Sequence, residues 1–542
     1  MKLQFRIQDE EVLVVEQGAY VRAAIADRED ASSIYAVVVN GKLHDLNFRL
    51  KEEGTISFIY ADSETGKQIY ERTMNFVFIA AVKLLYQDAQ VRMEHALSNG
   101  QYCDILKTPF LSPKDIRHIR KKMEELVNNK EEIRRKVVTT QEAVAYFEEN
   151  GMQNKADLLR CRKSKTSSIY TLCGIDDYFY GIMLPSTSYI THFALRYYAP
   201  GVWLSAYPQF TNQAKLFHVF QEFETWGKLI GVSNIAQLNQ KILQGKMDEL
   251  VLMSETMMEK KLAELASEIV FRHPHTKFIM IAGPSSAGKT SFSRRLSIHL
   301  KILGKKPIPI SMDNFYKNRQ DCPRLPDGSY DFESLDALDL ELFNDTMLKL
   351  LHHDAVHLPI FNFKTGFREW QEQETVLSDE EILIIEGIHG LNPEASAYLP
   401  DEAKFKIYMN ALTHLNLDEH NRIPTSDYRL IRRIARDYQF RNWDAQATIS
   451  FWKNVRDGED KYIYPFQEEA DAIFNSSMVY ELSILKKLVI PLLNKVGIQE
   501  PEYLEATRLK KLLAYFVDGD ESAVPRSSIL AEFIGNSVFD VS

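Results

Sequence analysis

The sequence predicts an α/β protein in which a parallel sheet with covering helices follows a small β-rich unit and a mixed α+β region. Three observations support this prediction. From residue 271 onward the chain alternates apolar strands, a glycine-rich loop and helices. Near the N-terminus an Asn-Gly pair separates two apolar runs, and residues 61–225 mix helical and strand-like periodicity. The 542 residues suffice for roughly three or four domains.

The composition is that of a globular protein, with 45% hydrophobic and 26% charged residues. The formal net charge of −10 disfavours a general attraction to nucleic acid. Four cysteines without a C-x-x-C pair argue against a disulfide scaffold or zinc ribbon, and they fit a reducing compartment. We find no signal-peptide pattern and no apolar run of membrane-spanning length, so we expect a soluble cytoplasmic protein without a membrane partner.

Residues 1–60 are predicted to form a compact β unit. Two strand-like runs, a short helix candidate and a further strand surround the segment YAVVVNGKLHDL. Its Asn40-Gly41 pair accepts the positive φ angles of a type I′ turn, which predicts a hairpin. Two hairpins packed on one helix are the β-grasp arrangement.

The remaining domains are delimited by changes of pattern. Residues 61–225 combine two helices, NFVFIAAVKLLYQDA and SPKDIRHIRKKMEELVNNKEEIRRK, with the strand-like pieces YFYGIML and HFALRYYA. The basic cluster in the second helix is interpreted most simply as a solvated helix face. Residues 226–272 are predicted to be a helical connector and 273–500 the parallel-sheet domain. Residues 501–542 are expected to form a helical tail, in which we find no functional motif.

The strongest functional signal is the segment KFIMIAGPSSAGKTSFSRRLSIHL, which contains the pattern G-x-x-x-x-G-K-[ST]. An apolar strand precedes the loop and an amphipathic helix follows it, as phosphate binding by backbone N–H groups requires. Lys289 then reaches the β and γ phosphates of a nucleotide, and Thr290 offers its hydroxyl to Mg²⁺. We therefore predict ATP and Mg²⁺ as cofactors, with the nucleotide bound by Gly283, Pro284, Ser285, Ser286, Ala287, Gly288, Lys289, Thr290 and Ser291.

Two acidic residues follow strands of the predicted parallel sheet. The strand KPIPISM ends at Asp313, and the apolar strand of EEILIIEGIHGLNP ends at Glu386. Carboxyl ends of parallel strands form the ligand-binding edge of such sheets. Asp313 is placed there to accept a hydroxyl proton or to help hold Mg²⁺, and Glu386 to reach the metal.

An arginine-rich helix follows in DYRLIRRIARDYQFRNWD. Arg429, Arg432, Arg433 and Arg436 recur at helical spacing, and Arg441 follows them. The pattern is open to two interpretations, a solvated helix or a lid that neutralises a transferring phosphate. Beside a phosphate loop we favour the lid.

Together these motifs resemble the uridine kinase and phosphoribulokinase family over roughly residues 275–480. The ordered segments that carry the resemblance are GPSSAGKTS, SMDNFYK, YDFESLDALD and EGIHGLNP, followed by the arginine helix. The resemblance implies that Asp313 is the general base toward a substrate 5′-hydroxyl. It further implies Lys289, Arg432 and Arg436 as catalytic residues, with Arg433 beside them in the lid. Thr290, Glu386 and Asp313 become the Mg²⁺ neighbours, and the substrate residues become Tyr316, Glu333, Phe361, Arg368 and Arg429.

Two departures from that family concern the substrate. Glu333 stands where nucleoside kinases usually hold the ribose with Asp, so its reach is one methylene longer. Phe361 and Gly366 stand where pyrimidine nucleoside kinases place a Tyr and a His against the base. Both changes remove hydrogen-bonding groups that a specific base site needs. Uridine or cytidine is therefore the default substrate rather than a deduced one.

Residues 1 to about 200 resemble a second family, the threonyl-tRNA synthetases. VNGKLHDLNFRL and its strands resemble their TGS β-grasp domain, and the following segments resemble their editing-type domain. That domain carries an H-x-x-x-H and a C-x-x-x-H pair, which correspond here to Arg72, Phe76, Phe179 and Met183. None of the four is a neutral imidazole or thiolate, so we expect neither zinc binding nor editing chemistry. We predict that this half serves in binding, oligomerisation or regulation.

The leading hypothesis is an ATP-dependent kinase of a nucleoside hydroxyl. One alternative keeps the phosphate loop but changes the acceptor to a purine nucleoside or another small alcohol. A second alternative is a nucleotide-gated RNA- or tRNA-binding regulator, which the acidic balance disfavours although residues 116–136 are locally basic. A homo-oligomer is possible in each case.

Overall fold

The computed structural model describes residues 2–7, 12–325, 328 and 330–540. The other positions, which fall within the predicted units 1–60, 273–500 and 501–542, lie outside the described residues. The fold class predicted from the sequence is confirmed: a parallel α/β sheet follows a small β-sheet unit and a mixed α+β region. The exact domain boundaries stay predictions.

The N-terminal unit is a mixed sheet around one short helix. Its elements are β1 (Lys2–Ile7), β2 (Val12–Glu16), α1 (Val21–Ala24), β3 (Ile34–Val39), β4 (Lys42–His44) and β5 (Gly54–Tyr60). The strand order is β2-β1-β5-β3-β4, and β1 and β5 run parallel. The predicted Asn-Gly hairpin between β3 and β4 is confirmed, with φ angles of 49° at Asn40 and 74° at Gly41.

The mixed region places two antiparallel sheets around a long buried helix. Its elements are α2 (Glu64–Leu85), β6 (Gln90–Leu97), β7 (Gly100–Leu106), α3 (Pro113–Asn128), β8 (Arg134–Thr139), α4 (Thr140–Glu149), α5 (Gln153–Arg160), β9 (Thr166–Leu172), β10 (Ile175–Asp177), β11 (Ala194–Tyr198), β12 (Gly201–Ser205) and α6 (Ala214–Leu229). The sheet orders are β11-β12-β7-β6 and β10-β9-β8. The apolar side of α2 contributes much of the core between them.

Two predictions in this region are wrong in detail. The helix predicted through residue 136 ends at Asn128, because Lys130 has a left-handed φ of 54° and the chain then enters β8. The strand predicted over YFYGIML is irregular beyond β10. Its backbone groups bond across the molecule instead, since Asn421 accepts from Tyr180 N at 3.1 Å and donates to Tyr178 O at 2.9 Å.

The predicted connector is helical, as α7 (Ile235–Leu243) and α8 (Met247–Arg272). Helix α6 continues across residue 225, where the connector was expected to begin. Helix α8 does not project as an arm. It lies along the first helix of the parallel-sheet domain, and its Glu259 carboxylate is 2.5 Å from Arg295.

The C-terminal half is built on a sheet whose neighbouring strands all run parallel, in the order β14-β17-β13-β18-β19. A two-stranded hairpin, β15-β16, stands beside it. The elements are β13 (Phe278–Ala282), α9 (Lys289–Ile302), β14 (Lys306–Ser311), α10 (Leu340–Leu351), β15 (Val356–Asn362), β16 (Phe367–Thr375), β17 (Glu381–Glu386), β18 (Lys404–Asn410), α11 (Thr425–Phe440), α12 (Ala445–Tyr462), β19 (Ala472–Asn475), α13 (Glu481–Leu493), α14 (Tyr503–Leu513) and α15 (Ala531–Ile534).

The two halves meet at a buried set of charges that we call the junction cluster: Lys155, Asp177, Asp418 and His420. Lys155 Nζ lies 2.7 Å from Asp177 Oδ1 and 3.2 Å from Asp418 Oδ1. His420 Nδ1 lies 2.5 Å from Asp177 Oδ2. Because the first two residues belong to the N-terminal half and the last two to the loop after β18, the cluster ties the halves together.

The C-terminal tail packs back onto both halves. Arg508 on α14 donates to Asp427 of α11 and, at 3.1 Å, to the hydroxyl of Tyr180. Helix α15 packs against α11 and α13, and Phe533 is fully buried. Within the described part of the chain, no helix is both long enough and apolar enough to cross a membrane.

Candidate active site

The predicted phosphate loop joins β13 to α9 and closes through unusual backbone geometry. Ser286 and Gly288 take left-handed φ angles of 60° and 87°. A Cβ atom at Gly283 would stand 2.0 Å from the carbonyl oxygen of Met409, so only glycine fits there. All nine predicted nucleotide-binding residues lie in this loop and the first turn of α9. The loop and the helix N-terminus together form an anion-binding cradle.

Lys289 is folded onto the loop. Its Nζ donates to the carbonyl oxygens of Gly283 at 2.8 Å and Pro284 at 3.4 Å. Burial lowers the pKa of Lys289, and the carboxylates of Glu386 and Asp313 offset this only in part. The ammonium group therefore lacks a strong anionic partner of its own.

Asp313 and Glu386 lie at the carboxyl edge of the sheet, as predicted. Asp313 is in a one-turn 3-10 helix after β14, and Glu386 ends the neighbouring strand β17. Thr290 donates to the two carboxylate oxygens of Glu386 at 3.2 and 3.3 Å. Burial raises the pKa of Glu386 to about 7 and also raises that of Asp313. Two carboxylates and a hydroxyl in a poorly solvated edge are a donor set suited to Mg²⁺.

Glu333 joins these groups from the loop before α10. Burial raises its pKa to about 7, with Arg433 and Lys289 opposing and Glu459 and Asp313 reinforcing the shift. We call Lys289, Asp313, Glu333 and Glu386 the loop cluster. The structure thus brings together four residues that the sequence separates by almost a hundred positions.

The predicted substrate pocket has an aromatic wall. The ring of Tyr316 meets Phe361 edge to face at 5.5 Å, and Phe361 meets Phe363 at 5.1 Å. The Tyr316 hydroxyl donates to Phe332 O at 2.8 Å. Gly366 occupies a left-handed turn with a φ of 78°, where a side chain is strained. The wall is therefore apolar, and the substrate roles of Tyr316, Glu333 and Phe361 stay predictions.

Arg368 contacts the chain beside the aromatic wall, and its substrate role stays a prediction. Its guanidinium donates to Tyr316 O at 2.8 Å and lies 3.0 Å from Asp339. These contacts hold the turn that carries Tyr316. Arg368 thus braces the pocket from behind.

The arginine helix α11 is sorted by the structure into two groups. Arg429 forms a bidentate pair with Glu459 at 2.5 and 2.7 Å, and Arg432 pairs with Glu481 at 2.5 and 2.8 Å. Both guanidiniums are buried, and they also donate to backbone oxygens of Ser285 and Ser286. They support the loop from its protein side, and the substrate role of Arg429 and the lid role of Arg432 stay predictions.

Arg433, Arg436 and Arg441 form the second group. Arg433 donates to Ser285 Oγ at 2.7 Å and, like Arg436, contacts Asp437. Their positive charges also affect the loop cluster. Arg433 acts to lower the pKa of Glu333, Arg436 that of Lys289, and Arg441 that of Asp313. These three are the lid candidates, and the catalytic roles of Arg432 and Arg436 stay predictions.

Three acidic residues of the site were missed by sequence reasoning. Glu459 accepts from Ser285 N at 2.8 Å, Glu481 pairs with Arg432, and Glu532 accepts from Ser291 Oγ at 2.7 Å. Each lies on a helix far along the chain from the loop, and none belongs to a motif. Their charge complements the arginines, but only the fold shows which acid meets which base.

In the N-terminal half, the positions compared with the synthetase metal pairs are mostly packed. Phe76 and Phe179 meet edge to face at 5.1 Å, and Met183 is buried. Arg72 donates to Ile182 O at 2.7 Å. Two aromatic rings and a buried methionine thus occupy three of these four positions, and Arg72 occupies the fourth.

Comparisons with known proteins agree with this division into halves. Residues 278–483 match the sequence model of the phosphoribulokinase / uridine kinase family. The N-terminal region matches threonine–tRNA ligases, among them ligase 1 of Bacillus subtilis (strain 168), with 34% identity over 166 residues. That alignment covers 30% of this chain and 26% of the ligase, so the chain spans about a quarter of the length of the curated relatives it matches.

Among solved structures, a putative fructose transport system kinase from Silicibacter sp. TM1040 aligns at 18% identity and a TM-score of 0.28. It covers 39% of this chain and 98% of that one. A possible uridine kinase from Bacillus stearothermophilus aligns at 19% identity and a TM-score of 0.25, covering 39% and 100%. The fold and loop define a P-loop nucleotide-binding domain. The resemblance of the C-terminal half to the phosphoribulokinase / uridine kinase family, and of the N-terminal region to threonyl-tRNA synthetases, is confirmed.

Proposed function

We propose that the protein is an ATP- and Mg²⁺-dependent kinase that transfers the γ-phosphoryl group to a hydroxyl of a nucleoside, by default the 5′-hydroxyl of uridine or cytidine. The observation that carries the proposal is the loop cluster. It sets a general-base candidate, Asp313, across from the phosphate-loop lysine, Lys289. The family match over residues 278–483 supports the same reaction class.

Asp313 accepts the proton of the attacking hydroxyl. Burial raises its pKa, which makes the carboxylate a stronger base than an exposed aspartate, while the positive charges of Lys289 and Arg441 oppose that rise. A hydroxyl placed against this carboxylate gains nucleophilicity as it approaches the phosphoryl group. Proton transfer and positioning are therefore assigned to one residue.

Charge on the transferring group is balanced by cations on both sides. Lys289 approaches from the loop, and Arg433 and Arg436 approach from α11. Thr290, Glu386 and Asp313 would hold Mg²⁺, which supplies further neutralisation of phosphate charge when bound. Arg429 and Arg432 keep the loop in shape through its backbone oxygens. Positioning and electrostatics then account for catalysis.

The acceptor is held by an apolar wall and one carboxyl group. Tyr316 and Phe361 offer ring surface to a base or another flat group. Glu333 offers a carboxyl group to sugar hydroxyls, and its pKa of about 7 lets it donate or accept near neutral pH. Because the hydroxyl of Tyr316 already donates to Phe332 O and Phe361 has no polar group, these two rings offer no free donor to a base edge, and a purine nucleoside or a different alcohol is the alternative acceptor.

The decisive experiment measures ATP consumption by the full chain with Mg²⁺ and a panel of acceptors. The panel contains uridine, cytidine, adenosine, guanosine and several small sugar alcohols. We expect turnover with one nucleoside class and its loss in Lys289→Met. Consumption with none of these acceptors, together with tight tRNA binding, would favour the nucleotide-gated RNA-binding alternative instead.

A further inference from the structure

A large cavity lined by both polar and apolar groups lies between the two halves, away from the loop cluster. Its volume is about 930 Å³. The N-terminal half contributes α2 and the β6–β7 turn, and the C-terminal half contributes the end of β18, α11 and α12. No phosphate-loop residue lines it, and neither Asp313 nor Glu386 does. It is therefore a second chamber rather than an extension of the phosphate site.

Two arginines on the wall of the chamber have guanidinium N–H groups without a hydrogen-bond acceptor. Arg422 and Arg456 make no hydrogen bond and no ion pair within 4 Å among the described residues, and the Nε atom of Arg456 is enclosed without a partner. The other wall arginines are engaged, Arg72 by Ile182 O, Arg429 by Glu459 and Arg508 by Asp427. Guanidinium groups with free donors at the wall of a cavity are suited to a bound anion, because they form strong charge-assisted hydrogen bonds with phosphate and carboxylate oxygens.

Acidic groups face the same two arginines at longer range. Burial raises the pKa of Glu71, and Arg422 opposes that rise. Burial likewise raises the pKa of Asp460, against the field of Arg456. Burial thus disfavours the ionised form of both acids, and the two arginines oppose that effect.

The chamber also offers groups for a hydrogen-bonding ligand body. The carboxamides of Gln68 and Gln467 line it and make no hydrogen bond among the described residues. The rings of Tyr180 and Tyr464 contribute apolar surface. A volume of this size accommodates a drug-sized molecule.

A direct chain of contacts leads from the chamber to the phosphate loop. Arg429 lines the chamber, pairs with Glu459 and donates to Ser285 O at 3.1 Å. Glu459 accepts from Ser285 N at 2.8 Å, so the pair holds both backbone groups of this loop residue. Tyr464 also lines the chamber and donates to Glu459 at 3.1 Å.

We propose that this chamber is a regulatory site for a small molecule with a phosphate or carboxylate group, bound by Arg422 and Arg456. An anion bound there competes with Glu459 for the guanidinium of Arg429. This competition weakens the hydrogen bonds that Arg429 and Glu459 make with the backbone of Ser285. Occupancy therefore weakens nucleotide binding at the loop, and by linkage the nucleotide weakens the anion to the same degree. The coupling rests on the nucleotide site of the proposed function, whereas binding in the chamber does not.

Binding is tested by calorimetric titration of the full chain with inorganic phosphate, adenosine 5′-monophosphate and citrate. These probes separate a bare anion, a phosphate on a larger body and a carboxylate. We expect saturable binding of at least one probe that is weakened about tenfold or more in Arg422→Met and in Arg456→Met. Arg134→Met, at an exposed arginine of the N-terminal half, is the matched control and should bind as the natural chain does.

Lys289→Met separates the two anion sites. Binding retained in Lys289→Met but lost in Arg422→Met supports the chamber. Binding lost in Lys289→Met and kept in Arg422→Met assigns the anion to the phosphate loop and overturns the proposal. Saturation by no probe also overturns it, as does binding only of a tRNA with steep salt dependence.

Coupling is measured by the affinity for a non-hydrolysable ATP analogue with and without the bound probe. We expect about a fivefold or greater loss of affinity in the natural chain and no loss in Arg422→Met. Because the analogue is not turned over, the result does not depend on which acceptor is phosphorylated. Equal affinities with and without the probe would refute the regulatory role even if the chamber binds it.

Discussion

Lys155 between the two halves and Lys289 at the phosphate loop are both buried, yet their surroundings act on them in opposite directions. Burial would lower the pKa of Lys155, but Asp177 and Asp418 raise it above the ordinary value. Around Lys289 the carboxylates of Glu386 and Asp313 do not outweigh burial, so its pKa stays lowered. The junction cluster has balanced its charges internally, whereas the loop cluster has not.

The carboxylates of the two clusters repeat the contrast. His420 and Lys155 hold the pKa of Asp177 below its usual range despite its burial. Burial raises the pKa of Glu333 and Glu386 to about 7. In the loop cluster the protein alone disfavours the charged forms of the lysine and the carboxylates. Such groups are suited to binding an external ion, here phosphate and Mg²⁺. Charge balance thus separates a structural cluster from a functional one.

The largest expected effect tests the loop cluster. Asp313→Asn removes the proton acceptor and keeps the shape, so we expect turnover to fall about 100- to 10,000-fold. ATP affinity should change little, because Asp313 makes no hydrogen bond with the loop backbone among the described residues and the Asn amide still offers an oxygen to Mg²⁺. Steady-state kinetics and nucleotide titration measure the two quantities. Turnover near that of the natural chain would remove Asp313 from the mechanism.

The junction cluster is tested by Lys155→Met. The change leaves Asp177 and Asp418 buried without their shared cation, and we expect the free energy of unfolding to fall by about 3–5 kcal/mol. Urea denaturation measures it. The control is Lys453→Met, which removes an ion pair whose lysine is 80% exposed and should cost at most about 1 kcal/mol. Similar losses in both variants would mean that the junction charges are not what joins the halves.

Local patterns predicted much of the fold and of the loop cluster. The glycine loop, the strand ends at Asp313 and Glu386, and the Asn40-Gly41 hairpin depend on turn chemistry and periodicity, which are written in neighbouring residues. The strand expected over residues 178–184 failed for a non-local reason. Its backbone is bonded by Asn421, a residue more than two hundred positions away.

The arginine helix α11 also shows that local sequence patterns do not predict long-range contacts. Spacing predicted correctly that Arg429, Arg432, Arg433 and Arg436 lie on one helix. It gave no sign that Glu459 and Glu481 would pair with Arg429 and Arg432. Long-range ion pairs between ordinary helical residues carry no local signature, so the division into loop supports and lid candidates required the structure.

A third prediction concerns Glu386, whose pKa is raised in the folded chain, whereas that of Asp177 in the junction cluster is lowered. The pKa of Glu386 is about 7 in the folded chain against an ordinary value of 4.5, so the folded state binds its proton more tightly. Its contribution therefore destabilises the fold progressively as pH rises from about 4.5 to about 7. Without Mg²⁺ and nucleotide, Glu386→Gln should be more stable than the natural chain at pH 8, by on the order of 1–3 kcal/mol.

Denaturation at a series of pH values checks this sign. The gain from Glu386→Gln should vanish near pH 4, where the glutamate is protonated in both states. Glu380→Gln is the control, because Lys306 lowers the pKa of that exposed carboxylate and its removal should bring no gain. A loss of stability in Glu386→Gln at pH 8 would show that the loop cluster is balanced internally after all.

The smallest expected effect concerns Glu532 in the tail, which raises the pKa of Glu386 and accepts a hydrogen bond from Ser291. Glu532→Gln keeps an acceptor for Ser291 but removes the charge, so the pKa of Glu386 should fall. Binding of Mg²⁺ with a non-hydrolysable ATP analogue should then be about two- to threefold tighter at pH 6.5 and unchanged at pH 8.5.

Glu532→Ala separates charge from hydrogen bonding at the same position. It removes the acceptor of Ser291 as well, so analogue binding should weaken at both pH values because the first turn of α9 loses a buried partner. If Glu532→Gln bound the analogue as the natural chain does at both pH values, the charge of Glu532 would not act on the loop. A pH-dependent difference between Glu532→Gln and the natural chain would instead make a carboxylate outside every recognised motif part of the electrostatics of the phosphate site.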